Sequence, residues 1–408
     1  MYKARNLIAF HLFILLFVST IKLNASNPNF LAKPDSLSED ATISLLTCAP
    51  GQELYSVFGH TAIRVNDPDN ETDLVYNYGT FDFNTPFFYL KFGHGSLDYL
   101  LSVSRFDQFL REYFVSGRTV LEHELRLSET MKQDLFDALQ TNALPENRAY
   151  KYDFFYDNCA TRVGDIILEV LNMPVVFTNA RDSMELTFRE AIHPYLEQKK
   201  WTKLGIDLVL GTPADDATDS ISVMFLPDHL MHQFEGIYYG SDSNNNNKLT
   251  SNPNTVLDFS NSFDVTEEAG IDPLLILWIL ALLIGLFSLQ EIPGKFSLKY
   301  LDILLYALIG FAGIIIAYLM FISHHEVTSP NWNLLWANPL WFLFVRTVNT
   351  NNFVTIVKKI QFVILIFLIM FSWTLPQYFP ADFYPLWIIL IIRLGSSVYR
   401  KKLRQFLA

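Results

Sequence analysis

The sequence predicts an α+β domain in the first two thirds of the chain and an all-α, multi-span transmembrane domain in the last third. Overall, 50% of the residues are hydrophobic, 18% are charged and the net charge is −12, whereas a soluble domain carries about 25% charged residues. Residues 273–408 hold ten Lys or Arg and four Asp or Glu, which leaves −18 for residues 1–272. An acidic first part speaks against nucleic-acid binding, because phosphate contacts need clustered basic residues.

The first 25 residues have the layout of a secretory signal peptide. Two basic residues precede an apolar stretch over 7–21, and small residues lie around Ala25, where cleavage is expected. His11 interrupts the apolar stretch, so an uncleaved anchor is the alternative. In both cases the residues that follow are exported.

The last third contains five apolar runs, at 274–290, 303–322, 333–348, 360–377 and 383–399. We expect about five transmembrane helices, since roughly 20 apolar residues cross the hydrocarbon. Basic residues follow the first, third and fifth runs, whereas the loops 323–332 and 378–382 contain none. Positive residues stay on the cytoplasmic side. The C-terminus is therefore predicted to be cytoplasmic, and the first domain is predicted to lie outside the cytoplasm, on the other side of the membrane.

Residues 26–240 are expected to form the exported α+β domain, and the polar, Asn-rich residues 241–272 a linker. The predicted strands cover 42–47, 60–65, 73–78 and 119–127, and the predicted helices 105–114, 128–141, 159–171, 184–200 and 221–234. Strands and helices alternate loosely, which favours α+β over a doubly wound sheet. No GxGxxG, P-loop or GxSxG motif supports nucleotide binding or a serine hydrolase.

Cys159 is the leading candidate for a catalytic nucleophile. Asp157 or Asn158 would cap the helix that begins here, which puts the thiol in the first turn. The helix dipole and its free N–H groups stabilise a thiolate at such a position. Arg162, one turn further on, is expected to add positive charge, which has the same sign as the N-terminal end of the helix dipole.

His60 is the best placed of the nine histidines to act with this thiol. It opens a predicted strand just after Gly59, which permits close approach of the backbone. A cysteine nucleophile needs an imidazole within reach, oriented by a third polar group. His94 is the second choice, and His123 lies in mid-strand, where a surface or core role is expected.

The order histidine first, cysteine about 100 residues later, resembles the circularly permuted papain-like enzymes, the NlpC/P60-related group that includes lecithin:retinol acyltransferase. Four longer motifs in order resemble the Lnb family of lipoprotein N-acyltransferases from Bacteroides-like bacteria. They are LLTCAPG at 45–51, FGHTAIRV at 58–65, YNYGTFDF at 76–83 and DNCATR at 157–162.

This resemblance implies a cysteine-dependent acyltransferase of the bacterial inner membrane with its catalytic domain in the periplasm. Cys159 would take an acyl group from a phospholipid as a thioester and pass it to the N-terminal amine of diacylglyceryl-cysteine on an exported lipoprotein. His60 would be general base and acid, and backbone N–H groups at the helix start would stabilise the oxyanion. Asp82 is the first choice for the group that orients His60, and Asn77 the second. No cofactor, metal ion or nucleic-acid partner is expected.

Two other functions remain open from the sequence. With water as acceptor, the same Cys159 and His60 would make a hydrolase or amidase of lipid or peptidoglycan. With a disulfide between Cys48 and Cys159, which an oxidising compartment permits, the domain would be a non-enzymatic envelope scaffold. A cluster of aromatic residues would line a lipid entry or belong to the core: Phe87, Phe88, Tyr89 and Phe92.

Overall fold

The computed structural model describes residues 34–178, 186–240, 247–260, 272–291, 297–345 and 352–407. The predicted signal peptide lies outside these residues. Within them, an antiparallel sheet with packed helices precedes a set of long apolar helices. The predicted fold class, an α+β domain followed by a helical transmembrane domain, is therefore confirmed.

The exported domain is built on two antiparallel sheets. The strands are β1 (Thr42–Cys48), β2 (His60–Asp67), β3 (Thr72–Thr80), β4 (Asp98–Arg105), β5 (Val120–Glu124), β6 (Ala149–Lys151), β7 (Val175–Phe177), β8 (Ile237–Tyr239), β9 (Asn247–Lys248) and β10 (Asn254–Leu257). Seven form the main sheet in the order β10-β5-β1-β2-β3-β4-β6, and β7-β8-β9 form the small one. Because β9 and β10 fall inside the predicted linker 241–272, that linker is shorter than expected.

The described part of the exported domain contains seven helices: α1 (Phe88–His94), α2 (Phe106–Val115), α3 (Glu129–Asn142), α4 (Cys159–Leu171), α5 (Phe188–Ile192), α6 (Lys200–Val209) and α7 (Pro227–Glu235). Of these, α6 packs against the apolar helices Pro273–Glu291 and Lys299–Phe321 rather than on a sheet. The core on one face of the main sheet joins Leu45 and Ile63 to Val163 of α4. On the other face, Leu46 packs with Phe109 of α2. The central strands are therefore buried on both sides, and in β1 every residue from Ile43 to Cys48 is buried.

The transmembrane domain contains α8 (Pro273–Glu291), α9 (Lys299–Phe321), α10 (Phe342–Val345), α11 (Asn352–Phe371) and α12 (Phe383–Leu407). Three helical stretches in the described residues are long and apolar enough to cross a membrane, namely 273–291, 299–321 and 352–374; α12 contributes a shorter apolar stretch, Phe383–Tyr399.

The third predicted apolar run, 333–348, forms no long helix in the part of the chain that the structure describes. Two short 3₁₀ turns, Trp332–Leu335 and Pro339–Trp341, precede α10 instead. They lie tightly against α9, where a Cβ added to Gly313 would come within 2.4 Å of the Asn338 backbone. The expected third helix is thus a broken segment packed on its neighbour.

Polar side chains of the transmembrane domain hold the exported domain in place. Asn331 and Asn333 donate hydrogen bonds to backbone carbonyls at the end of α6, and Gln377 donates to the carbonyl of Leu210. Lys200 of α6 pairs with Asp272, directly before α8. Both α9 and α11 thus end towards the exported domain, whereas α8 and α12 begin there.

Candidate active site

Cys159 is the first residue of α4, and Asn158 is its N-cap. The Asn158 side-chain oxygen accepts hydrogen bonds from the backbone N–H groups of Ala160 (2.7 Å) and Thr161 (3.0 Å). In return, the Thr161 hydroxyl accepts from the backbone N–H of Asn158 (2.8 Å), a reciprocal capping box. The Asn158 amide also donates to two backbone carbonyls, those of Phe154 and Phe225. This buried residue therefore fixes the position of the thiol.

His60 and Asn77 complete a chain of hydrogen bonds with Cys159. His60 opens β2, and its Nε2 lies 2.5 Å from Oδ1 of Asn77 on β3. An amide oxygen only accepts, so Nε2 carries the proton and donates it, which leaves Nδ1 for the thiol. The ring also hydrogen-bonds the Cys159 side chain. A thiol, an imidazole and an amide thus stand in sequence, the arrangement of a cysteine nucleophile with an oriented base.

The surroundings of Cys159 favour its thiolate. Burial raises the pKa of the thiol, but the charge and hydrogen bond of His60, together with backbone N–H donors of Thr61 and Cys159, outweigh burial, so the pKa of Cys159 is lowered from 9.0. For His60, burial lowers the pKa, but the facing Cys159 and the hydrogen bond with Asn77 more than compensate, so its pKa is raised from 6.5. The two shifts together favour a thiolate–imidazolium pair.

The second cysteine has the opposite character. Burial raises the pKa of Cys48 to about 12. Both cysteines are free thiols. The Cys48–Cys159 disulfide of the scaffold alternative is therefore absent from the structure, and Cys48 packs as a small apolar residue in the core beside α2.

Gly79 and Tyr150 border the thiol, and sequence reasoning missed both. The β3–β4 register shifts between Asn77 and Thr80, and Gly79 has φ +90°. A Cβ on Gly79 would lie 3.5 Å from Cys159 Cβ, 3.9 Å from His60 Cε1 and 3.9 Å from the Tyr150 hydroxyl oxygen. That hydroxyl is buried and has no hydrogen-bond partner in the described parts of the chain. Bulges often lie next to active sites, but no local sequence signal marks Tyr150.

Not every predicted site residue reaches the thiol. Asp82 is exposed and accepts hydrogen bonds from Asn84, so the structure brings Asn77, rather than Asp82, to His60. The Arg162 guanidinium is held by both carboxylate oxygens of Asp157 and lies 3.7 Å from the Tyr150 ring centre. Its charge is thus already paired with Asp157.

Gly59 is positioned as the sequence suggests. It has φ +81°, and a Cβ there would lie 2.9 Å from the carbonyl oxygen of Cys48. Only glycine fits this close approach of β1 and the start of β2 without strain. Gly59 therefore lets the chain turn so that His60 enters the sheet at the site.

The remaining candidate histidines have other partners. His123 is buried in β5 and lies 3.0 Å from Glu235. His94 ends α1 and stacks on His324 of the transmembrane domain, with ring centres 4.6 Å apart. His325, next in the chain, hydrogen-bonds the carbonyl of Phe92. These contacts are structural links between elements.

Two family models match the chain. One is described as the Lnb N-terminal periplasmic domain and matches residues 33–190; the other is described as the Lnb transmembrane domain and matches residues 265–404. Together they cover well over half of the sequence and both of its domains. No curated protein and no solved structure matches it, so the likeness to permuted papain-like enzymes stays a prediction.

Proposed function

Since the chain belongs to the Lnb family, we propose that it transfers a fatty acyl group from a phospholipid, through a thioester on Cys159, to the N-terminal amine of diacylglyceryl-cysteine lipoproteins. The chain is a membrane protein with a periplasmic N-terminal domain. The observation that carries the proposal is the hydrogen-bonded series Cys159, His60 and Asn77. We further propose that the C-terminus is cytoplasmic, in accord with the distribution of basic residues.

In the first half-reaction the Cys159 thiolate attacks the ester carbonyl carbon of the phospholipid. The tetrahedral oxyanion is stabilised by N–H groups around the thiol, those of Thr61 and Cys159, and by the Tyr150 hydroxyl, which has no hydrogen-bond partner among the described residues. The ester C–O bond then breaks, and the His60 imidazolium gives its proton to the leaving alcohol oxygen. The products are a lysophospholipid and an S-acyl thioester.

In the second half-reaction the lipoprotein amine attacks the thioester carbonyl. His60, now neutral, takes the proton from the amine nitrogen as the C–N bond forms. The C–S bond breaks, and the thiolate returns beside the imidazolium. Asn77 is proposed to keep the ring in the tautomer and orientation that both steps need.

The transmembrane domain suits this chemistry. Drawing an acyl chain out of the bilayer into water costs about 0.8 kcal/mol for each methylene. The exported domain docks on α8 and α9 through α6, and in the proposed function this docking would keep the thiol close to the bilayer and avoid most of that cost. A peptidoglycan amidase would need no more than one anchor helix, so the peptidoglycan version of the hydrolase alternative is less well supported.

The experiment has two readouts on the full-length protein in membranes. Intact mass should show an acyl adduct on Cys159, removable by hydroxylamine, and mass spectra of lipoprotein N-termini should show one added acyl group. Cys159→Ala should lose both, whereas the matched variant Cys48→Ala should keep both. An unchanged N-terminus together with release of free fatty acid would instead identify a hydrolase.

A further inference from the structure

The surface around α1 is strongly apolar for an exported domain. Five large apolar side chains within ten residues are exposed, among them Phe87 and Tyr89, at 76% and 81%; the others are Phe83, Leu90 and Phe92. Contiguous exposed patches of this kind mark interaction sites. None of these side chains is needed to close the core of the sheet.

The transmembrane domain holds α1 beside the C-terminal end of α9. The backbone N–H of His324, three residues after the end of α9, donates to the carbonyl of His94 (2.8 Å), and the two imidazoles stack. His325 adds a hydrogen bond to the carbonyl of Phe92 (2.9 Å). The exposed side chains of α1 are thus anchored next to the end of α9, a helix that is long and apolar enough to cross a membrane.

A series of ring contacts leads from this surface to the thiol. Phe92 stacks on Phe88 (centroids 6.3 Å apart), and Phe88 contacts Phe81 (5.7 Å). Phe81 then contacts Tyr99 (5.4 Å), which reaches Tyr150 (6.4 Å) beside Cys159. The series is apolar except for the tyrosine hydroxyls at its inner end.

We propose that α1 is an interfacial helix inserted in the outer leaflet, and that one acyl chain of a phospholipid enters along the series Phe92, Phe88, Phe81 and Tyr99 to reach Cys159. The inference rests on the proposed function and assigns the path of its acyl donor. Large rings flanked by a basic residue, here Lys91, are typical of helices that lie in the membrane interface. The acyl chain would exchange lipid neighbours for aromatic rings without crossing water.

Photo-crosslinking tests the location without needing catalysis. The full chain carrying Cys159→Ala is reconstituted in vesicles of phosphatidylethanolamine and phosphatidylglycerol, with p-benzoylphenylalanine at Tyr89 or, as control, at Val115. Val115 is equally exposed (80%) but ends α2 on another part of the domain. Covalent phospholipid at position 89 and little at 115 is expected. The proposal would be overturned if position 89 captured no phospholipid, or captured no more than position 115 does.

A second measurement tests the path on the active protein. Phe87, Tyr89 and Leu90 are replaced by Ser, and Phe114 and Val115 by Ser as the control; all are exposed. Cys159 acylation is followed with a bilayer phospholipid and with water-soluble p-nitrophenyl butyrate. The α1 variant should lower the bilayer-to-soluble ratio about tenfold or more, and the control should not.

The outcomes separate the two proposals. An unchanged ratio in the α1 variant would overturn the lipid path while leaving the acyltransferase intact. If the unmodified protein forms no thioester with either donor, the proposed function fails, and the crosslinking result still decides whether α1 lies in the bilayer.

Discussion

His60 and Asn77 lie side by side on neighbouring antiparallel strands, with Nε2 of His60 2.5 Å from Oδ1 of Asn77. The two residues are 17 positions apart in the chain. The amide oxygen holds the proton on Nε2 and so directs the other ring nitrogen to Cys159. The carboxylate considered for this role, Asp82, is directed to Asn84 instead.

Asn77→Ala should lower acyl transfer about tenfold to a hundredfold, because the imidazole loses the group that sets its tautomer and orientation. Asp82→Ala is the matched control and should stay close to the unmodified protein. Steady-state acylation of a lipoprotein peptide measures both. A loss in Asp82→Ala as large as in Asn77→Ala would contradict the assignment of the orienting residue.

The pH dependence of thiol reactivity follows from the lowered pKa of Cys159 and the raised pKa of His60. The thiolate forms as pH rises through the lowered pKa, so alkylation by iodoacetamide should have its midpoint below 9. His60→Ala removes the stabilising charge and leaves burial, so the midpoint should move to higher pH. Mass spectrometry of each thiol separates Cys159 from Cys48, whose pKa of about 12 should keep it unreactive.

Catalysis should follow a bell-shaped curve, since it needs both a thiolate and an imidazolium. kcat/KM is expected to rise as pH passes the lowered pKa of Cys159 and to fall again above the raised pKa of His60. Cys48→Ala should give the same curve. A single rising limb that follows alkylation up to high pH would show that the protonated imidazole is not required.

Asn158→Ala should lower the free energy of unfolding by about 1–2 kcal/mol, because α4 loses its cap. It should also slow alkylation of Cys159, since the helix start carries the thiol. Ser128→Ala removes the corresponding cap of α3, a hydrogen bond to the N–H of Met131. Ser128→Ala should lose about 1 kcal/mol of stability without changing the reactivity of Cys159. Asn158→Ser keeps a cap oxygen and should therefore recover part of the stability that Asn158→Ala loses.

Tyr150→Phe should reduce acyl transfer about tenfold to a hundredfold, because one oxyanion donor is lost. Its thermal stability should be unchanged or higher, since the hydroxyl that is removed is buried and has no hydrogen-bond partner in the parts of the chain that the structure describes. Tyr78→Phe is the counterpart on β3: its hydroxyl accepts a hydrogen bond from Asn142 (2.9 Å). That variant should lose about 1 kcal/mol of stability and keep its activity. Reversed results would place the important hydroxyl on Tyr78.

Local sequence signals found the parts of the site that depend on neighbouring residues. The N-cap residue Asn158 and the helical spacing of the apolar residues after it predicted that Cys159 begins α4. The glycine before His60 predicted the start of β2. Strands β1, β2 and β3 and helices α2, α3 and α4 were predicted to within a few residues of their bounds. Short elements such as α1 and β10 were missed, because their stability comes from packing on distant residues.

The sequence alone predicted the division into an acidic exported domain and a basic, apolar transmembrane domain, and it singled out Cys159 and His60. It could do so because composition, helix capping and apolar periodicity act over a few neighbouring residues. Only the tertiary structure decided between Asn77 and Asp82, brought Tyr150 to the thiol and joined α1 to His324. These contacts depend on strand register, on the irregularity after Asn77 and on how the two domains dock. The contacts join residues that are far apart in the chain, so no short window of sequence contains both partners.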